Sequence, residues 1–487
     1  MFQLKEKLLS SFIAFENQKD IDSYVHGIRT KAIKNFEKEG FPTKKLENWK
    51  YTSLKKTLNQ DYKLFPTATE ALEFKDIKNF LIDDIESYKI IFVDGKYCSH
   101  LSETTHDGMD ICILSSALSQ SKYDLLIENY FDKISKKDGI TSLNTAFSSE
   151  GSYIHIPKNV QVDKPIQVIY FSTGKNESVL HQPRNLIVVD ENSQVEIIER
   201  HQSLSNNRIL VNSVSEIYCN QRSIVQHYKI QDDNRNASLI DNTFVSQQRN
   251  SDYTLHTFSF GGELTRNNLS IFQNGERIES TIKGITIIGE NQHVDHNTLI
   301  HHKKPNCNSY QDYKGIFGEN SVGVFNGQVL VEKEAQKTNA FQANNNVLIS
   351  DKATINTKPQ LEIFADDVKC SHGCTVGQLD KNALFYLRSR GIGQILSWKI
   401  SRNCIIFPLW LKVYRKGFVS FPNIVGLVLE LEERLLKPAS SKLFSLLGIS
   451  TAETKSVRSK PNFLCVLALL DQPSFMETCS DLNRGLK

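Results

Sequence analysis

The chain has 487 residues, too many for one small domain, and roughly two or three structural units are expected of it. Its 58 Lys and Arg against 55 Asp and Glu leave a net charge of +3, which gives no nucleic-acid footprint. Nine scattered cysteines form no disulfide framework, and no apolar run reaches the roughly 18 residues that cross a bilayer, so the expected setting is the cytoplasm, with neither nucleic acid nor membrane as partner.

In chain order, "LKEKLLSSFIAF" and "VHGIRTKAIKNFEKEG" place apolar residues three and four apart, which predicts helices within residues 1–60, closed by Gly40 and Pro42. Residues 61–140 are mixed: "YKIIFVDGKYC" predicts a strand running into a turn at Asp94-Gly95, and "SALSQSKYDLLIENYFDKI" predicts helix. Residues 1–140 are therefore set apart as a helical and mixed N-terminal domain. From about 150 to 370 the pattern shifts to short alternating runs such as "IQVIYFS", "SIVQHYKI", "STIKGITIIG" and "VGVFNGQVLV", separated by turns rich in Asn, Asp, Gln, Ser and Gly. Many short strands fit a sandwich, a barrel or a solenoid. In a solenoid each coil buries its face against the next, so one long core needs no closed sheet, and this favours a parallel β-helix over residues 141–375, although no strict period is visible. Residues 376–487 form a third, helical region, in which Asp380 can cap "KNALFYLRSR" and Gly391 stands where a left-handed C-terminal residue is wanted.

The chemistry concentrates in "DDVKCSHGCTVGQLDKNALFYLRSRGI", residues 366–392. Cys370, His372 and Cys374 alternate, so on an extended chain they share one face, with neighbours roughly 7 Å apart. Such soft ligands suit a metal or a metal–sulfur cluster. Three in a row make half a site, and the remaining ligands must come from elsewhere in the chain or from a partner. The same row is also what a buried strand end would show. In "QHVDHNTLIHHKKPNC", His293, His296, His301, His302 and Cys307 match no metal template and read as loop and strand-surface residues. A sugar-cleaving β-helix needs convergent carboxylates, but the adjacent Asp366 and Asp367 point apart on an extended chain. No phosphate loop of the GxxxxGK[ST] type is present, so the chain does not itself read as a P-loop ATPase.

Three segments carry a resemblance. "KPQLEIFADDVKCSHGCTVGQLDKNALFYLRSRGI", the upstream "CNSYQDYKGIFGENSVGVFNGQVLVEKEAQKTNAFQANNNVLIS" and "KLENWKYTSL" at residues 45–54 resemble the SufB/SufD scaffold family of iron–sulfur cluster assembly. Glu47-Asn48-Trp49-Lys50-Tyr51-Thr52 is similar to the SufD branch of that family. The resemblance implies a mainly β fold, a right-handed parallel β-helix core flanked by N-terminal and C-terminal helical regions, and no catalysis by this chain alone. It implies two partners, a SufB-like paralogue and a SufC-like ABC ATPase that alone binds ATP, and an iron–sulfur cluster held transiently at the interface. His372, with Cys370 beside it, maps to the family's interface position. Cys374 stands where the family commonly has Ala, either as a spare ligand or, the reading preferred here, as a small buried side chain. A cytosolic carbohydrate-active β-helix enzyme and a stand-alone metal-binding β-helix protein are the alternatives. After Gly393 the resemblance stops within a proline-rich tail containing Pro408 and Pro422, which fits a shifted reading frame or a divergent tail and puts ATPase docking in doubt.

Overall fold

The computed structural model describes residues 2–17, 24–65, 72–82, 85–103, 108–174 and 177–378, with residues 385 and 389. The chain divides into Met1–Gln378 and Leu379–Lys487. The helix expected after Asp380 and the atypical tail lie outside the described residues.

Both early helices follow their apolar spacing. α1 (Phe2–Glu16) buries Leu4, Leu8, Phe12 and Phe15, and α2 (Tyr24–Glu39) buries Val25, Ala32, Ile33 and Phe36. Gly40, at φ 65°, ends α2 with its N–H on the Phe36 carbonyl. The strand expected before Asp94-Gly95 is β1 (Tyr88–Val93), and both turn residues have positive φ before the chain returns as β2 (Lys96–Tyr97). The helical stretch 114–130 forms in pieces, Leu114–Ser119, Ser121–Tyr123 and Asp124–Tyr130. A helix at Gly139–Ala146, capped by the Asp138 carboxylate on the Thr141 N–H, was not foreseen.

The remaining strands are β3 (Asp110–Ile113), β4 (Ser152–Ile156), β5 (Ile166–Ser172), β6 (Val179–His181), β7 (Arg184–Val189), β8 (Gln194–Ser203) and β9 (Ile209–Cys219). They continue as β10 (Ile224–Gln231), β11 (Ala237–Gln247), β12 (Asp252–Ser259), β13 (Leu264–Gln273), β14 (Glu279–Ile288) and β15 (His293–His302). The last are β16 (Asn308–Phe317), β17 (Val322–Val331), β18 (Thr338–Leu348), β19 (Thr354–Ile363) and β20 (Val368–Gln378). One sheet runs β2-β1-β5-β8-β10-β12-β14-β16-β18-β20, and the other β19-β17-β15-β13-β11-β9-β7-β4-β3, with β6 beside β9. From β8 on, successive strands alternate between the sheets and pair in parallel with the strand two places on, which makes a β-solenoid of about eight turns. The expected mainly β fold with a β-helix behind N-terminal helices is therefore present, the expected C-terminal helical flank lies outside the described residues, and β1 and β3 bring the segment before residue 141 into the sheets.

Seven left-handed residues mark one corner of the stack: Asn159, Asn192, Arg222, Asn250, Arg277, Asn306 and Lys337, at φ 57–64°. Asn tolerates this region better than most side chains. From Asn192 onward they recur 27 to 31 residues apart. That drift in coil length is why the sequence shows no strict period.

The interior changes character along the stack. One in-register column reads Ile166, Ile197, His227, Leu255, Ile282, Gln311, Gln342, His372 from early coils to late. Mid-stack, Glu199 accepts from His201 at 3.1 Å and lies 3.3 Å from His227 and 3.5 Å from Lys229, all buried. Burial raises the Glu199 carboxyl, but Lys229 and the two histidines outweigh it and hold it well below the usual carboxylate range.

Candidate functional site

The ligand row sits on the last strand of its sheet. Val368 to Gln378 is extended, as the alternation requires, and its register pairs Ala340 with Cys370, Gln342 with His372 and Asn344 with Cys374. Ala340, Gln342 and Asn344 are buried inward residues of β18, so the three ligand-type side chains share the inward face of the next coil. Among the described residues no further strand follows β20, nor β19 in the other sheet. The final coil is open, and its inward row is exposed from His372 onward.

The three positions differ. Cys370 is half-buried against the cluster of Val329, Val331, Ala335, Ala340 and Ala365. Burial pushes its thiol up, and a backbone hydrogen bond from Ala340 offsets part of that. A thiol so held loses its proton when a metal takes the sulfur. Cys374 is exposed. That corrects the expectation of a small buried side chain: among the described residues no coil follows β20 to cover its far half.

Spacing limits what one chain can do. Cys370 and Cys374 stand four residues apart, roughly 13 Å along the strand, too far for one iron. His372 lies between them and can act with either. Among the described residues no group of three or more His, Cys, Asp and Glu converges as a metal site. The row is half a site, open on the side where a partner would stand. Around it Phe341, Ile363, Phe364 and Val376 expose apolar surface.

The other candidates resolve differently. His296 and His302 are interior, not surface, residues: His296 lies between Thr286 and Asn267, and His302 bonds Ser309 at 2.9 Å. Their place follows from β15 alternation, which sends even-numbered residues inward. His293 meets Thr52 at 2.9 Å, His301 pairs with Glu332 at 2.7 Å, and Cys307 is buried with its thiol on the Gly275 carbonyl. Asp366 and Asp367 lie in the exposed turn before β20, where the Asp367 carbonyl accepts from the Lys337 N–H.

The "ENWKYT" segment is a strap along the outside of one sheet. Trp49 lies 4.2 Å under the Arg266 guanidinium of β13, Arg266 and the Thr52 hydroxyl both bond Asp295 of β15, and Glu47 reaches Lys358 of β19 at 2.7 Å. The strap thus runs to the strand that borders the open end. Sequence reasoning missed Arg266 and Asp295, and it missed Gln342 beneath His372; the first two carry no local signal, whereas Gln342 follows once the 30-residue register to His372 is known.

Against protein-family models, residues 12–168 match the SufBD protein N-terminal region and residues 170–396 match the SUF system FeS cluster assembly, SufBD core domain. The chain belongs to the SufBD family. It is 32% identical over 360 residues to an iron–sulfur cluster assembly SufBD family protein of Synechocystis, covering 72% of this chain and 79% of that one. It is 30% identical over 368 residues to the SufD protein of Escherichia coli (73% and 81% covered) and 26% identical over 404 residues to SufD of Bacillus subtilis (78% and 88%). SufBD membership removes the ground for a carbohydrate-cleaving reading, and the core match ends at residue 396, close to where the resemblance was seen to stop. Among the described residues no helix is long and apolar enough to cross a membrane.

Proposed function

We propose that this chain is a non-catalytic SufD-type scaffold subunit that assembles in the cytoplasm with a SufB-like paralogue and a SufC-like ABC ATPase. In this reading a nascent iron–sulfur cluster is built across the open end of the solenoid. The cluster is cargo, held briefly by His372 and Cys370 with Cys374 as an additional thiolate, and completed by ligands from the paralogue. ATP is bound by the ATPase only.

The observation that carries this reading is the exposed inward row of the final coil, bordered by two sheet edges that pair with no further strand among the described residues and by an apolar rim. Unpaired edges and an apolar surface both favour a protein partner. Few ligands from each chain also suit a cluster that must be released, because parting the two chains removes half of its ligands at once.

The test is anaerobic co-purification of the tagged chain with its own SufB-like and SufC-like proteins, followed by iron and sulfide analysis. Recovery of both partners with bound cluster, and loss of the cluster but not of the partners in His372→Ala, is the expected result. Recovery of the paralogue without the ATPase would locate a defect in the tail after Gly393. Recovery of neither partner by folded protein would overturn the scaffold reading.

A further inference from the structure

Directly beneath His372 in the interior column is Gln342, which has no exposed surface and whose amide nitrogen and oxygen both lack a hydrogen-bond partner. Buried amides are seldom left in that state. The facing sheet makes room for this one: a Cβ on Gly327 would come within 2.3 Å of Gln342 Nε2. The nitrogen is the amide atom nearest that wall. On the coil above, Pro359 stands over Gly327 and has no N–H to offer. His372 stands over Gln342, and its ring always carries at least one N–H.

We propose that Gln342 is a positioning residue of the cluster site. Its Oε1 accepts the imidazole N–H of His372 once the ring turns into the lumen. That bond selects one tautomer and directs the other ring nitrogen, with its lone pair, out of the mouth toward iron. The open coil then has a built floor: the row on β20 supplies ligands, and the amide one coil below sets the angle of the central one. This rests on His372 being a cluster ligand, and the test separates the two claims.

The first measurement is the ring tautomer of His372 in the full chain labelled with ¹⁵N-histidine, with the signals identified by their loss in His372→Ala. One dominant tautomer is expected in the wild type, a mixture in Gln342→Met, and a single tautomer again in Gln342→Glu, which keeps the acceptor oxygen. The second is cluster retention in the co-purified complex. Gln342→Met is expected to lower retained iron and sulfide at least tenfold with partner recovery unchanged, and Gln342→Glu to return them to within about threefold of wild type. If the oxygen is instead taken by Gln311 Nε2, unpartnered one coil below, the tautomer ratio will not respond to either substitution, and the proposal fails. Equal loss in Gln342→Met and Gln342→Glu would reduce the amide to a space filler and also overturn it. Full cluster retention by His372→Ala would refute the ligand reading, while the tautomer result would still judge Gln342.

Discussion

At its N-terminal end the solenoid stops on short antiparallel additions: two-residue β2 folds back on β1, and four-residue β3 lies against β4. Around that end the Arg184 guanidinium, wholly buried, pairs with Glu216 at 2.5 Å and with Asp132 at 3.3 Å, while Glu216 accepts the N–H groups of Asp132, Ile134 and Ser135. At the other end β19 and β20 finish in parallel register, with no cap among the described residues, and the inward face of β20 is exposed. A sheet edge is ordinarily a hazard that proteins cover or charge. One end of this stack finishes on short antiparallel strands beside a buried ion-pair cluster. The other has unpaired edges among the described residues and puts its ligand-type side chains there. The contrast separates stability from assembly: substitutions near the capped end should unfold the chain, and those on the last coil should leave it folded but without partner or cargo.

The largest expected effect tests the capped end. Glu216→Ala removes the nearer of the two carboxylates on buried Arg184, leaving Asp132 at 3.3 Å, and takes the acceptor from three backbone N–H groups; breaking a buried pair in this way costs about 3 kcal/mol. Urea unfolding should show that drop, with co-purification falling only in proportion to the folded fraction. A change below 1 kcal/mol would mean that water reaches this cluster and that the end is not sealed.

Acid titrates the middle of the stack. Burial lowers His296 and His302 from 6.5 to about 3. Their folded pKa values lie below the unfolded ones, so the unfolded chain binds the extra protons. The stability they contribute is whole above pH 6.5 and drains away as the pH falls from 6.5 toward 3. Each histidine costs about 1.4 kcal/mol per pH unit in that window, or about 2 kcal/mol at pH 5 relative to pH 6.5. Urea midpoints at pH 7 and pH 5 should therefore separate strongly in the wild type and less in His302→Gln. Equal separation in both would show that His302 is protonated, or solvated, in the folded chain.

These residues also show how far the sequence could be read. Alternating runs announced strands, and the need of stacked coils for one long core favoured a solenoid over a sandwich. Coil length was hidden because the left-handed corner falls on Asn, Arg or Lys at intervals that drift. The Cys370–His372–Cys374 face was legible because a two-residue period survives without any tertiary information. The exposure of Cys374 was not, since it depends on what stacks on β20, where no coil follows among the described residues. His296 and His302 looked like surface histidines because a polar interior breaks the rule that inward residues are apolar. Arg266, Asp295 and Trp49 come together only when a strap from the first fifty residues crosses strands more than two hundred residues away.

The smallest expected effect on stability is at the open end, where it should coincide with a large effect on assembly. Gly373 lies between His372 and Cys374 on β20, and a Cβ built on it meets nothing within 4 Å. Its φ is not in the left-handed region, so the backbone does not demand glycine. Gly373→Lys should therefore shift the unfolding free energy by less than about 0.5 kcal/mol, as surface substitutions generally do. The charge would nevertheless stand on a free sheet edge, where a single lysine opposes strand addition by another chain. Recovery of the SufB-like partner should fall at least tenfold, while the circular dichroism spectrum and urea midpoint stay those of the wild type. If the lysine unfolds the chain, β20 is covered by something it cannot yield to. If it leaves partner recovery untouched, assembly uses another surface, and the uncapped last coil must be explained without a docking chain.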